Sequence, residues 1–220
     1  MCANCRAEPD MEKFSSIRGY AAPLMQINID TDQMIPSRFL PRAHEPGVLK
    51  EGLFSEWKTR PDGTPNPDFI LNRAPFSEAT ILLAGRNFGC GSSREGAPKA
   101  LRQWGMRVII AASFGDIFYG NCFRNGMVPV ILPEPTVEAM AADAMARGAD
   151  ALIDVDLERN TVTTARGEVL SFPSPARLRA MLLGGLDEID LTLTMRQDID
   201  AFRGRDTGGR PWAYALPRAN

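Results

Sequence analysis

The sequence predicts an α/β protein built on a mixed sheet, and three observations carry that reading. Two short apolar runs, Thr80-Ile-Leu-Leu-Ala84 and Arg107-Val-Ile-Ile-Ala111, flank a helix-compatible stretch from Ala97 to Trp104; such runs suit buried parallel strands joined by a crossover helix. Ala151 to Leu157 and Thr161 to Thr164 flank a Glu-Arg-Asn turn with alternating faces, the mark of an antiparallel hairpin. A chain of 220 residues, 44% hydrophobic and 24% charged, has the composition of a globular protein and a length that suits one domain better than several.

In chain order, Phe14 to Pro23 has the spacing of a first strand, and Asn28-Ile-Asp-Thr-Asp32 follows as a polar turn able to form Asx turns and caps. Residues 41–79 are rich in Pro and Gly and read as a long irregular connection with a short helix near Leu53 to Trp57. After the strand, helix, strand unit, Phe114 to Asn125 forms a second helix closed by Gly126. Val128 to Leu132 is a further strand whose Pro129 points to a sheet edge. Pro135 to Arg147 is the clearest helix, with Pro in its first turn and Gly148 past its end; its Met140 and Met145 are expected in the core. Beyond the hairpin come a helix over Ser174 to Leu183, the stretch Leu186 to Leu193 and an amphipathic segment from Met195 to Phe202. Thr207 to Asn220 is expected to lie against the surface or a partner.

Several function classes are disfavoured. A formal net charge of -2 without blocks of Lys and Arg gives no electrostatic footprint for nucleic acid. No apolar run reaches the roughly 20 residues of a membrane span, and residues 1–10 lack the apolar core of a signal peptide; a cytoplasmic location is expected, with no membrane partner. Cys2 and Cys5 form a lone C-x-x-C, while Cys90 and Cys122 belong to different elements, so the chain alone is not expected to hold an iron–sulfur cluster or another metal. The single histidine, His44, in a Pro-rich loop, makes a His-based zinc site or a Ser-His-Asp triad hard to assemble.

Chemistry concentrates in Arg86-Asn-Phe-Gly-Cys-Gly-Ser-Ser-Arg-Glu-Gly-Ala-Pro98. This stretch leaves a buried strand and opens a helix, whose free N–H groups and dipole favour an anion. Gly89 and Gly91 allow close backbone approach, Ser92 and Ser93 offer hydroxyls at expected cap positions, and Arg94 offers a planar fork for a carboxylate. The Lys-Ser/Thr pair of a Walker A loop is absent. Arg38, just beyond the Asp-Thr-Asp turn, is a candidate grip for a second carboxylate.

Asn28-Ile-Asp-Thr-Asp-Gln-Met-Ile-Pro36, Asn66-Pro-Asp-Phe69, Asn87-Phe-Gly-Cys-Gly-Ser-Ser-Arg-Glu95, Ser113-Phe-Gly-Asp-Ile-Phe-Tyr-Gly-Asn121 and Gly185-Leu-Asp-Glu-Ile-Asp-Leu-Thr-Leu193 resemble, in order and spacing, the small subunits of 3-isopropylmalate dehydratase, relatives of the aconitase swivelling domain. The resemblance implies a three-layer β/β/α arrangement over residues 14–204, with 1–13 a flexible extension and 205–220 a tail. It also implies a large-subunit partner that carries a [4Fe-4S] cluster, and a small hydroxy-diacid substrate isomerised by dehydration and rehydration in leucine biosynthesis. By the same resemblance Ser92 is the catalytic base and Arg94 a catalytic partner. Ser93, Gly91, Thr31, Asp32 and Arg38 are expected to bind substrate, with Thr31 and Asp32 also orienting the loop or the base. Asp116, Tyr119 and Asn121 are read as packing and capping residues near the interface. Gly96 stands where that family has histidine, which leaves open another substituted malate, of citramalate, dimethylmalate or homoaconitate type. A non-catalytic carboxylate-binding module is the alternative from another class.

Overall fold

In a computed structural model, residues 11–214 are described. Seven strands, β1 (Ser16–Leu24), β2 (Ile81–Ala84), β3 (Val108–Ala111), β4 (Val128–Ile131), β5 (Leu152–Asp156), β6 (Thr161–Thr163) and β7 (Val169–Ser171), form one sheet in the order β4-β3-β2-β1-β5-β6-β7. The helices are α1 (Thr31–Met34), α2 (Val48–Gly52), α3 (Ser55–Lys58), α4 (Gly96–Trp104), α5 (Asp116–Arg124), α6 (Glu134–Arg147), α7 (Ala176–Gly184), α8 (Glu188–Leu193) and α9 (Arg196–Gly209).

The sheet is mixed because β1 serves two partners along its length. Its first half, Ser16 to Tyr20, pairs antiparallel with β5, and its second half, Ala21 to Leu24, pairs parallel with β2. The parallel side continues through β3 and β4, and the antiparallel side through β6 and β7. Every residue of β2 and β3 is buried, as a parallel sheet covered on both faces requires. β5 and β6 alternate buried with half-buried residues, so only one of their faces is fully covered. The crossovers β2-α4-β3 and β3-α5-β4 step in the same direction, which for right-handed connections sets α4 and α5 on one face. α6 returns toward β5 and packs on β1, β2 and β3, covering the other.

Some sequence expectations need correction. The connection over 41–79 holds two short helices, α2 and α3, and they break at the expected helix: Phe54 is left-handed (φ 48°), buried, and donates its N–H to the Met34 carbonyl at 2.7 Å. Met140 is core, but Met145 is 51% exposed and lines the hollow between α6 and the Pro23 to Met25 segment. β7 was not foreseen. α9 runs through to Gly209 without a break at 204 and buries no residue; ion pairs Arg196–Asp200 and Arg210–Asp206 brace its ends. Pro129 does sit in an edge strand, β4. Cys2 and Cys5 lie outside the described residues. Among the described residues no helix is long and apolar enough to cross a membrane.

Candidate active site

The loops that leave β1, β2 and β3 lie side by side at the carboxyl ends of the parallel strands, where open α/β sheets bind ligands. Asn28 N–H donates to the Arg86 carbonyl (3.0 Å), Gly89 N–H to Ile29 (2.8 Å) and Thr31 N–H to Cys90 (3.0 Å). On the other flank Phe88 N–H donates to Ser113 (3.1 Å) and Gly115 N–H to Phe88 (2.9 Å). Asn28 and Asn87 are both left-handed (φ 57°), and Asn87 Nδ2 donates to Asn28 Oδ1 at 2.9 Å, which locks two loops 59 residues apart. Beneath them Phe88, Phe114 and Phe118 pack ring against ring at 5.5 to 6.4 Å.

This framework explains the glycines. Gly89 has φ +74° and any Cβ there would collide with the Phe118 ring; Gly91 has φ +94°, a conformation that L side chains rarely adopt. The chain then turns so that Ser92 rests on Thr31. Thr31 Oγ1 accepts from the Ser92 N–H (3.2 Å) and faces both the Ser92 carbonyl and Oγ (3.4 Å each), to either of which it can donate. The Arg94 N–H also donates to Ser92 Oγ (3.4 Å). Ser92 Oγ therefore faces two donors, a hydroxyl and a backbone amide, the kind of surroundings that lower the energy of an oxyanion.

Thr31 is buried, Ser92 half-buried, and Gly91, Ser93, Arg94 and Asp32 are exposed. Arg94 forms an ion pair with Asp32 at 2.8 Å, so a ligand carboxylate that reaches its guanidinium must share it with Asp32. The structure thus brings Gly91, Ser92, Ser93, Arg94, Thr31 and Asp32 together. Arg38 is engaged elsewhere, by Glu56 (2.6 Å) and Ser55 (3.1 Å) on α3. One detail of the sequence reading is corrected: α4 begins at Gly96 with Glu95 as its N-cap and no side-chain cap bond. Ser92 and Ser93 precede the helix and cap nothing, because the left-handed Gly91 turns the chain toward Thr31 first.

Sequence reasoning missed what Asn121 does. Its side chain is buried, and its Nδ2 donates to the Ser93 carbonyl at 3.5 Å; the signal available was a polar residue amid the apolar positions of α5. Hollows of about 410 and 500 Å3 flank the Pro23 to Met25 segment, one against α6 and one against Trp57 and Phe69, and neither is lined by Ser92, Ser93 or Arg94. Ser93 and Arg94 of the loop are exposed, and Ser92 is half-buried.

Among the described residues no group of three or more His, Cys, Asp or Glu converges as a metal site. Cys122 is fully buried, and burial pushes its thiol well above the ordinary range, so it is held neutral and is a poor thiolate ligand. The described residues do not fit an iron–sulfur cluster.

Residues 11–135 match the family model for the aconitase C-terminal domain. The chain is 46% identical to the 3-isopropylmalate dehydratase small subunit of Paracoccus denitrificans over 92% of its length and all of the relative's, and 49% identical to that of Cupriavidus necator over 93% and 99%. The chain belongs to the family of 3-isopropylmalate dehydratase small subunits. A solved family structure, the 3-isopropylmalate dehydratase of Methanocaldococcus jannaschii, superposes with a TM-score of 0.60 at 26% identity, covering 86% of this chain and 99% of that one. The mixed α/β arrangement expected of the family is observed, a curled seven-stranded sheet whose parallel and antiparallel halves meet along β1.

Proposed function

We propose that this chain is the swivelling half of a cytoplasmic hydro-lyase that interconverts 2-isopropylmalate and 3-isopropylmalate, active only when a large subunit closes over the serine–arginine loop. The observation that carries the reading is Ser92 Oγ held between the Thr31 hydroxyl and the Arg94 amide on an open surface. An iron–sulfur cluster is assigned to the large-subunit partner.

Ser92 takes the proton from the carbon next to a substrate carboxylate. A serine hydroxyl is a weak base at neutral pH, and the two donors on Oγ lower the energy of the alkoxide it must become. Their 3.4 Å spacing is long, as catalytic hydrogen bonds often are before substrate tightens them. Arg94, released in part from Asp32, holds the carboxylate with Ser93 and the Gly91 backbone. The electron pair left by the proton forms a carbon–carbon double bond as the hydroxyl leaves the neighbouring carbon, a departure for which the partner's cluster would supply the Lewis acid; rehydration adds water back with the positions exchanged, hydroxyl to one carbon and the proton held by Ser92 to the other. Arg38 reaches a second carboxylate only by giving up Glu56 and Ser55.

The test is turnover by this chain combined with its large subunit, against the same assembly carrying Ser92→Ala. Isomerisation by the wild type and its loss in the variant, with assembly intact, supports the proposal; full activity in Ser92→Ala overturns the assigned base. A specific contact favours a second reading of the substrate. At Gly96 a Cβ would stand 2.6 Å from the Leu40 side chain and 3.5 Å from Ile35, so the missing side chain lets Leu40 close over the start of α4. Assaying citramalate, dimethylmalate and homoaconitate beside isopropylmalate decides between the substrates. Tight binding of diacids by the chain alone, with no large-subunit complex formed, would favour a carboxylate-binding module instead.

A further inference from the structure

We infer that Asn121 is a positioning residue for the serine–arginine loop, and that Arg124, itself fixed by Glu188 of α8, sets the direction in which Asn121 points. The inference deepens and rests on the role proposed for Ser92. Three polar residues are buried among the described residues, Thr31, Asn121 and Asp143, and two of them grip adjacent residues of this loop. Thr31 holds Ser92 by its N–H and faces its carbonyl and Oγ; Asn121 Nδ2 donates to the Ser93 carbonyl. The loop is therefore held at Ser92 from the β1 side by Thr31 and at the Ser93 carbonyl from α5 by Asn121.

A carboxamide can point either of its ends at the loop, and only one is useful. The Ser93 carbonyl accepts, so the amide end must face it. Arg124, one turn on, donates from Nη1 to Asn121 Oδ1 at 3.0 Å and from Nε to Glu188 Oε1 at 2.9 Å. A guanidinium donates only, so it binds the oxygen end of Asn121, which accepts, and turns the Nδ2 end toward Ser93. The Asn121 carbonyl is occupied by Asn125, through its N–H at 3.1 Å and its Nδ2 at 2.8 Å, which anchors the backbone that carries the side chain. The line Glu188, Arg124, Asn121, Ser93 thus ties the first residue of α8 to the loop that bears Ser92 and Arg94.

Asn121→Asp tests this with minimal change of shape: the oxygen that faces Arg124 remains, and the donor that faces Ser93 becomes an acceptor. In the isolated chain, exchange of the Arg94 amide, which donates to Ser92 Oγ, is expected to speed up about tenfold or more while β2 and β3 keep wild-type protection, the sign of a local release. In the two-subunit assembly kcat is expected to fall about 10- to 100-fold, more than KM rises, because a misplaced base loses the transition state more than the bound substrate. Arg124→Ala, at a half-exposed side chain, is the second variant, with a smaller effect in the same direction on both readouts, and it carries the test where Asn121→Asp does not fold. Loop exchange at the wild-type rate in both variants overturns the hold. Faster loop exchange with unchanged kcat overturns its catalytic relevance. A wild-type assembly that does not turn over isopropylmalate counts against the proposed function alone, since the exchange measurement stands without it.

Discussion

Thr31 is a threonine in the core, 2% exposed, and its hydroxyl is buried because Ser92 supplies its partners. Thr31→Val keeps the shape and removes the hydroxyl, leaving the Ser92 N–H without its acceptor and Oγ without one of two donors. Turnover by the assembled enzyme should fall about 100-fold, within the range for loss of one oxyanion donor, with the chain still folded by circular dichroism. Arg94→Ala should cost about 100- to 1000-fold in kcat/KM by the same assay. Gly89 makes a prediction about stability: alanine there meets both a left-handed backbone and the Phe118 ring. Gly89→Ala should destabilise the chain by about 2 to 4 kcal/mol in urea unfolding. The composition of this loop was legible in the sequence, because glycines, serines and an arginine crowd into one turn. The contact of Thr31 with Ser92 was not legible from spacing, since it spans 61 residues and exists only because two strand-end loops pair.

Among the elements, α6 is tied to the antiparallel side by Asp143. Its carboxylate, 8% exposed, accepts from Arg147 at 2.9 Å within the helix and from Arg166, in the turn between β6 and β7, at 2.9 and 3.0 Å. The two hydrogen bonds from Arg166, and then the one from Arg147, hold the Asp143 carboxyl below the ordinary aspartate range. A carboxyl lowered on folding stabilises the native state above its unfolded value, about 3.9, and that contribution disappears as pH falls through the folded value. Asp143→Asn should therefore cost about 1 to 2 kcal/mol at neutral pH, with the gap to wild type closing below about pH 4 in acid unfolding curves. The legibility of the elements follows burial. β2 and β3 are apolar throughout because both faces are covered, and they stand out in the sequence. β7 has three residues, of which Val169 and Ser171 are exposed, so its pattern is too short to read. α9 lacks a buried stripe, and the left-handed Phe54 falls inside the segment read as one short helix and divides α2 from α3 there.

At the scale of the whole molecule, the serine–arginine loop is exposed and, among the described residues, lies outside the two hollows that flank Pro23 to Met25. The isolated chain should accordingly show no measurable isomerase turnover, and titration with the large subunit should restore activity in proportion to the complex formed; activity in the chain alone would refute the need for a partner. From the sequence alone, the class of fold followed from one strand, helix, strand unit and one hairpin. That the two share a strand could not follow, because which strands neighbour one another depends on distant pairings.

The double allegiance of β1 bears on how the protein melts. Its first five residues nucleate one set of ladders and its next four the other, so neither half of the sheet can come apart without fraying the strand that the other half needs. Heat or denaturant should take the chain apart in one cooperative step. Fluorescence from Trp57, beside the parallel half, and backbone dichroism should trace the same midpoint.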